Sequence, residues 1–328
     1  MRHALVRLAP IFHLTRVTTA FAAVANVWFV ILWTRAAGTH EGAPASLRDH
    51  ALWVLLVAGA VNAAGLSAYG SALNDVLDVR RDRTLNPRRP LPAGALSIEW
   101  AVVLVVATFM IAVVGASLMG MEAVLLTVVV AAAILFFNAA AKYIPAVGLV
   151  LLGLIYAGHM VVPNLYLRFV WPIWLVMSHS LAAGWLAHVV GRKVPRLSQR
   201  AVLMAFAGWG FWSAIMLITG WIRGRGEGGL WPNWVSPVAG VGPVALAALF
   251  SLVVWRKVRR AGRGARSGEK ISRYGSLWLA LYACAWLIGQ GYRDGAIIMC
   301  VLAGAGVLGM TVLRELYSLI EQPVGYRA

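Results

Sequence analysis

Apolar runs long enough to cross a lipid bilayer recur along this chain from near Val17 to beyond residue 310. About 18 or more apolar residues are needed to span a hydrocarbon core of roughly 30 Å. Ten candidate segments fall at about 17–35, 51–73, 97–118, 121–138, 146–167, 170–190, 201–222, 238–256, 274–291 and 295–316. Inside hydrocarbon a backbone must satisfy its own hydrogen bonds, so a segment of this kind is helical or belongs to a closed barrel. Continuous apolarity over about 20 residues, rather than alternation, selects the helix. The expected fold class is therefore all-α, a polytopic helical transmembrane bundle of about nine to ten spans. Residues 1–328 read as a single integral-membrane domain. The first segment is long enough to be a retained span rather than a signal peptide. The last two, parted only by a turn-like stretch from Gly291 to Gly295, read as two spans or a re-entrant pair.

Composition matters here mainly through charge. Only 12% of residues are charged and 61% are hydrophobic, against about a quarter charged in soluble domains. The formal net charge of +17 would suggest nucleic acid in a soluble protein. Here the basic residues sit between the apolar runs, so they report topology and no nucleic-acid partner is expected. Counting the terminal tails and the loops after the even-numbered segments, one side holds 23 of the 29 Lys and Arg residues; the other holds Arg35, Arg48, Arg168, Arg223, Arg225 and Arg293. Such a bias marks the cytoplasmic side. The chain is expected as a multi-pass protein of the cell membrane with both termini cytoplasmic. The basic stretch Arg256–Arg273, read as a loop, is expected to meet anionic lipid headgroups. Cys284 and Cys300 lie inside apolar runs with no metal-type spacing. Trp231 and Trp234 read as part of an interfacial aromatic belt.

The chain has only twelve Asp and Glu, and three of them fall in one stretch, Asn74-Asp75-Val76-Leu77-Asp78-Val79-Arg80-Arg81-Asp82. On a continuous helix Asp75, Asp78 and Asp82 lie within about 60° of one another, and Asn74 widens the arc to about 100°. Carboxylates this close repel unless a cation neutralises them. Mg²⁺ does so with a few carboxylates, completing its shell with water and substrate phosphate. The competing reading is a solvated helix end whose acids pair with Arg80, Arg81 and Arg83. Downstream, Pro87, Pro90 and Pro92 end the helix and stiffen the chain. They hold Arg88 and Arg89 near the acids, and guanidinium groups recognise phosphate oxygens with a planar fork.

The string Asn74-Asp75-x-x-Asp78-x-x-x-Asp82, followed by Asn86 and by Arg88-Arg89-Pro90-Leu91-Pro92-x-Gly94, resembles the first aspartate-rich motif of UbiA-type intramembrane prenyltransferases. A weaker resemblance covers Phe137 to Gly148, with Asn138, Lys142 and Tyr143. The resemblance implies a Mg²⁺-assisted enzyme that moves a prenyl group from an isoprenoid diphosphate to a lipophilic, usually aromatic, acceptor, in lipid or quinone biosynthesis. It implies that Asp75, Asp78 and Asp82 are catalytic and, with Asn74, hold the metal. Asn74, Arg88, Arg89 and Lys142 would bind diphosphate.

One departure from the family pattern is plain. A second acidic motif is expected near the end of the sixth segment, yet no Asp or Glu occurs between Glu122 and Glu227. Two readings stand. In one, a single Mg²⁺ site suffices and His188, Arg192 and Lys193 bind diphosphate directly. In the other, the chain is a non-catalytic lipid-binding or transport-related protein on the same scaffold. No inverted repeat of the transporter kind is visible. His159, Asn164 and His179 are intramembrane polar residues that line a cavity or bond between helices.

Overall fold

A computed structural model describes residues 11, 14, 15, 17–87 and 89–321; Arg88 lies outside them. Each of the ten expected segments contains one long helix: α1 (Val17–Ala37), α2 (Leu52–Leu77), α3 (Ile98–Ser117), α4 (Met121–Ala139), α5 (Pro145–Met160), α6 (Trp171–Val190), α7 (Gln199–Arg223), α8 (Val241–Ala261), α9 (Ala265–Gln290) and α10 (Arg293–Glu321). Short helices Ala45–Asp49 and Val79–Leu85 lie between them, and no strand occurs among the described residues. Among the described residues, seven helices are long and apolar enough to cross a membrane, and α5 is a shorter apolar helix. The protein is a multi-pass helical membrane protein.

Local chemistry sets the helix ends. Ser97 and Ser198 accept the backbone N–H groups of Trp100 and Ala201 at the starts of α3 and α7, the usual N-cap arrangement. Pro145 opens α5, where its missing N–H costs nothing. Gly291, at φ 84°, turns the chain between α9 and α10. Those two helices run 26 and 29 residues, about 40 Å each. Exposed apolar side chains such as Val106 and Val114 on α3, Val129 and Phe136 on α4, and Leu203 and Phe206 on α7 form surfaces that suit lipid.

Two expectations need correction. The fifth segment is not helical to residue 167. α5 stops at Met160; Pro163 cannot donate to a helical ladder, and the buried Asn164 side chain instead accepts from Tyr166 N and donates to Thr34 Oγ1. Buried Glu41 holds the rest of this connector by accepting from Arg168 N, Phe169 N and Trp33 Nε1. Second, the basic stretch Arg256–Arg273 is mostly helix: α8 runs to Ala261 and α9 begins at Ala265. Trp231 and Trp234 lie half-buried in the connection between α7 and α8. Trp231 stands edge-on to Phe169 with ring centres 5.1 Å apart, and Trp234 tilts against fully buried Trp33 at 6.0 Å. The main apolar core gathers around Trp33, Phe169, Tyr282 and Leu287.

The α2–α3 crossing positions the acidic stretch. A Cβ on Gly65 would lie 2.8 Å from Ala112 N, and one on Gly115 would lie 2.5 Å from Asn62 N. Only glycine allows the two backbones to come this close. Asn62 bonds across this region to Ala112 O and Thr127 Oγ1, both at 2.9 Å. α2 is thereby fixed against α3 and α4, about 15–20 Å along its axis from the acids.

Candidate active site

α2 does not run unbroken through the acids. It ends at Leu77, Asp78 takes φ −89° and ψ 0°, and Val79–Leu85 resumes as a short helix. The bonds Asp78 N to Asn74 O and Asp82 N to Asp78 O keep the helical spacing across the break. The break divides the acids into two pairs of interactions. Buried Asp75 and Asp82 share Arg89, whose Nη1 lies 3.3 Å from Asp75 Oδ1 and 2.6 Å from Asp82 Oδ2. Asn86 donates to Asp82 Oδ1 at 2.9 Å. Asp78 turns to the α4–α5 connection, accepting from Lys142 Nζ at 2.8 Å and Tyr143 OH at 2.9 Å. Lys142 also donates to Asn74 Oδ1 at 3.1 Å.

The acids are therefore not a solvated helix end paired to its own arginines. Asp75 and Asp82 are each 4% exposed and pair with Arg89 of the proline-rich segment, while Asp78 is held from the α4–α5 connection. Such desolvated charges persist because they are paired and hydrogen-bonded. Burial, and next the Asp78 carboxylate, hold the Tyr143 phenol above its usual range. It remains a proton donor to Asp78.

Two cavities meet at Asn74. A polar one of about 180 Å³ is lined by Asn74, Asp78, Arg81, Asp82, Asn86 and Arg89, with Leu85 at its edge. A second, of about 310 Å³, lies between α1, α2, α4, α5 and α9 and is largely apolar. Its walls include Leu66, Ile134, Phe137, Leu152 and Ile155, with Asn74 at one end and His159 among the lining groups. A charged anchor thus opens beside an apolar chamber of the size that holds a small ligand.

Among the described residues, no three His, Cys, Asp or Glu side chains converge to hold one ion. The expected convergence of Asp75, Asp78 and Asp82 is corrected by the break at Asp78 and by Arg89, which draws Asp75 and Asp82 to itself. The donor set still fits Mg²⁺. Asp78 and Asp82 line one cavity with the amide side chains of Asn74 and Asn86. Mg²⁺ characteristically takes one or two carboxylates and fills its shell with water and phosphate oxygens.

Of the expected diphosphate ligands, Asn74, Arg89 and Lys142 are brought together. His188, Arg192 and Lys193 line neither cavity. The His188 ring bonds to Pro195 O at 2.9 Å within its own loop, and Arg192 and Lys193 are exposed. Sequence reasoning missed the roles of Tyr143 and Asn86, although both lie in the quoted motifs. It also missed Ser272 and Ser276, which line the apolar cavity. Their spacing of four on a helix was the available signal. Of the intramembrane polar residues, His159 lines the cavity, whereas His179 bonds to Gly275 O and Tyr282 OH.

A membrane-embedded helical bundle with a paired acidic and basic anchor over an apolar chamber defines the class. Among solved structures the chain is similar to a digeranylgeranylglyceryl phosphate synthase (TM-score 0.53, 15% identity, 87% of this chain and 98% of that one). It is also similar to the apo form of a UbiA homolog from Aeropyrum pernix K1 (TM-score 0.52, 19% identity, 80% and 94% covered). No protein-family model and no curated protein matches the sequence. The chain has the fold of the UbiA-type prenyltransferases.

Proposed function

We propose that this chain is a divergent UbiA-type prenyltransferase that moves a prenyl group from an isoprenoid diphosphate to a lipophilic acceptor. The observation that carries this reading is the junction at Asn74. A charged head group and a hydrocarbon tail need opposite surroundings, and one residue here borders both. The diphosphate is placed in the polar cavity and the tail in the apolar one. The polar cavity faces the cytoplasm in the topology set by the basic residues, with both termini on that side.

Asn74, Asp78, Asp82 and Asn86 would hold Mg²⁺. When bound, the ion would neutralise diphosphate oxygens and favour departure of the leaving group. Arg89 and Lys142 now sit on the acids; with donor bound they would turn to the diphosphate oxygens, as charge-assisted donors. In the transfer, the allylic carbon–oxygen bond breaks and its electron pair leaves with diphosphate. A nucleophilic acceptor atom forms a new bond to the allylic carbon and loses a proton. The apolar walls keep water from the reactive carbon. Donor chain length and acceptor are chosen by the contours of the larger cavity.

Binding provides the test. Purified protein titrated with an unreactive geranyl thiodiphosphate should bind in Mg²⁺ and at least tenfold more weakly in excess chelator. Equal affinity in both conditions contradicts the reading. Donor binding without any transfer would favour the non-catalytic lipid-binding alternative, for which the acid-free loop after α6 is the one supporting feature.

A further inference from the structure

The apolar cavity changes character along its length. On its walls, polar groups are served by their own helices. Asn138 Nδ2 donates to Ile134 O at 3.0 Å. Ser276 Oγ donates to Ser272 O at 3.1 Å on α9, which docks on α6 where a Cβ on Gly268 would lie 2.7 Å from Ala187 O. Hydrocarbon can lie against such groups without stranding a donor. The end away from Asn74 is different. His159 lines it, 6% exposed, and its Nε2 is buried with no hydrogen-bond partner among the described residues. On α1, Asn26 stands one turn beyond the lining residues Ala22 and Ala23, on the same face. It is 1% exposed, and its Nδ2 is likewise buried and unpartnered among the described residues. Contacts to α4 fix the depth of this floor. Tyr69 OH donates to Ala131 O at 3.3 Å, and a Cβ on Gly158 would lie 3.2 Å from Val130 Cγ2. His159 is therefore about level with Leu66 or just beyond it, and the floor lies about 12–15 Å along the bundle from Asn74.

Resting on the prenyltransferase reading, we propose that His159 and Asn26 form a polar stop that fits the chamber to a donor of three isoprene units, a farnesyl-type diphosphate. An extended isoprene unit has four chain bonds of about 1.5 Å each and advances the chain by about 5 Å. Three units reach from the diphosphate anchor to the floor. A fourth would press hydrocarbon onto the imidazole and the amide. Polar nitrogens sealed in this way lose any water that can otherwise serve them, and an unmade buried hydrogen bond is costly. That cost offsets the apolar surface gained by the fourth unit. Such a stop differs from a wall of bulky side chains. Its limit is set by hydrogen bonding, so an apolar residue of similar size removes it. His159 acts here on donor length alone, since the reacting carbon lies at the Asn74 end of the chamber.

The test is binding of geranyl, farnesyl and geranylgeranyl thiodiphosphates, with two, three and four units, to the full chain in Mg²⁺. These analogues are unreactive, so no turnover is required. The wild type should bind the farnesyl analogue tenfold or more tighter than the geranyl one, since the added unit buries new apolar surface. It should bind the geranylgeranyl analogue no tighter than the farnesyl one. His159→Leu should let the geranylgeranyl analogue bind tenfold or more tighter than the farnesyl one. His159→Gln, which keeps a polar group at the floor, should retain the wild-type order. Ratios between ligands within one protein cancel any difference in the folded fraction of each variant. If the wild type favours geranylgeranyl over farnesyl tenfold, or if His159→Leu keeps the wild-type order, the polar stop is overturned and the prenyltransferase reading stands. If no analogue binds the wild type in Mg²⁺, both fall.

Discussion

Asp78→Asn should leave the protein folded and lower prenyl transfer by about a hundredfold or more, the scale of losing one preorganised electrostatic contact to a transition state. Asp78 is the acid that joins the two halves of the anchor. It lines the polar cavity and accepts from Lys142 and Tyr143 on the α4–α5 connection. Asparagine has nearly the same shape: its one oxygen can accept from Lys142, and its amide can donate to the Tyr143 hydroxyl oxygen in place of the bond that is lost. The folding cost is then far below the 3–5 kcal/mol typical of removing one member of a buried ion pair outright. What is lost is a full negative charge where a cation and diphosphate must assemble. Tm and detergent-stable monodispersity should therefore stay near wild type while turnover collapses. Asp78→Leu is the contrasting variant, since it strands the Lys142 ammonium and should also reduce stability. Unchanged turnover in Asp78→Asn would remove the acid from the mechanism.

The largest expected effect on stability is at Gly115. A Cβ there meets Asn62 N at 2.5 Å and Ala58 O at 2.7 Å, both backbone atoms of α2. A side-chain neighbour could rotate away, but a helix backbone cannot. Gly115→Leu must push α3 off α2, at a cost of about 3 kcal/mol or more, the upper range for overpacking. It also breaks the geometry in which Asn62 bonds to Ala112 O. Thermal unfolding in detergent should shift down by many degrees, or the protein should fail to accumulate. Because α2 carries the acids, residual protein should also lose donor binding. Gly210→Ala on α7, where a new Cβ meets nothing within 4 Å, is the matched control and should be neutral or slightly stabilising. Equal Tm values for the two variants would contradict the α2–α3 packing.

The helices were legible in the sequence because in lipid the length of an apolar run and the length of a helix are the same quantity. All ten segments contain a long helix, and among the described residues seven of those helices are long and apolar enough to cross a membrane. Hydropathy fails where a tertiary partner replaces the helical ladder. The connector after Met160 is as apolar as a span, but Pro163 ends the ladder and Asn164 and Glu41 take over the freed backbone groups. It fails again from Arg256 to Arg273, where charge density suggests a loop but straight-chain basic residues are good helix formers. At the site, Asn74, Asp78, Arg89 and Lys142 were readable because acids are so scarce in this chain that a local group of them stands out. The partition of Asp75 and Asp82 from Asp78 was not readable, since it depends on a single residue leaving α-helical geometry. Ser272 and Ser276 carry no motif, and only the docking of α9 against α6 brings them to the cavity.

The central claim is that the chain transfers prenyl groups, and product formation tests it most directly. The purified protein in lipid nanodiscs would be incubated with geranyl or farnesyl diphosphate labelled in the prenyl chain, a panel of lipid-soluble aromatic and glycerol-ether acceptors, and Mg²⁺ or chelator. The expected result is label in a new lipophilic product with release of diphosphate, only with Mg²⁺ and an acceptor, and lost in Asp78→Asn. Donor that binds but is recovered intact with every acceptor would contradict the claim and leave a lipid-binding scaffold.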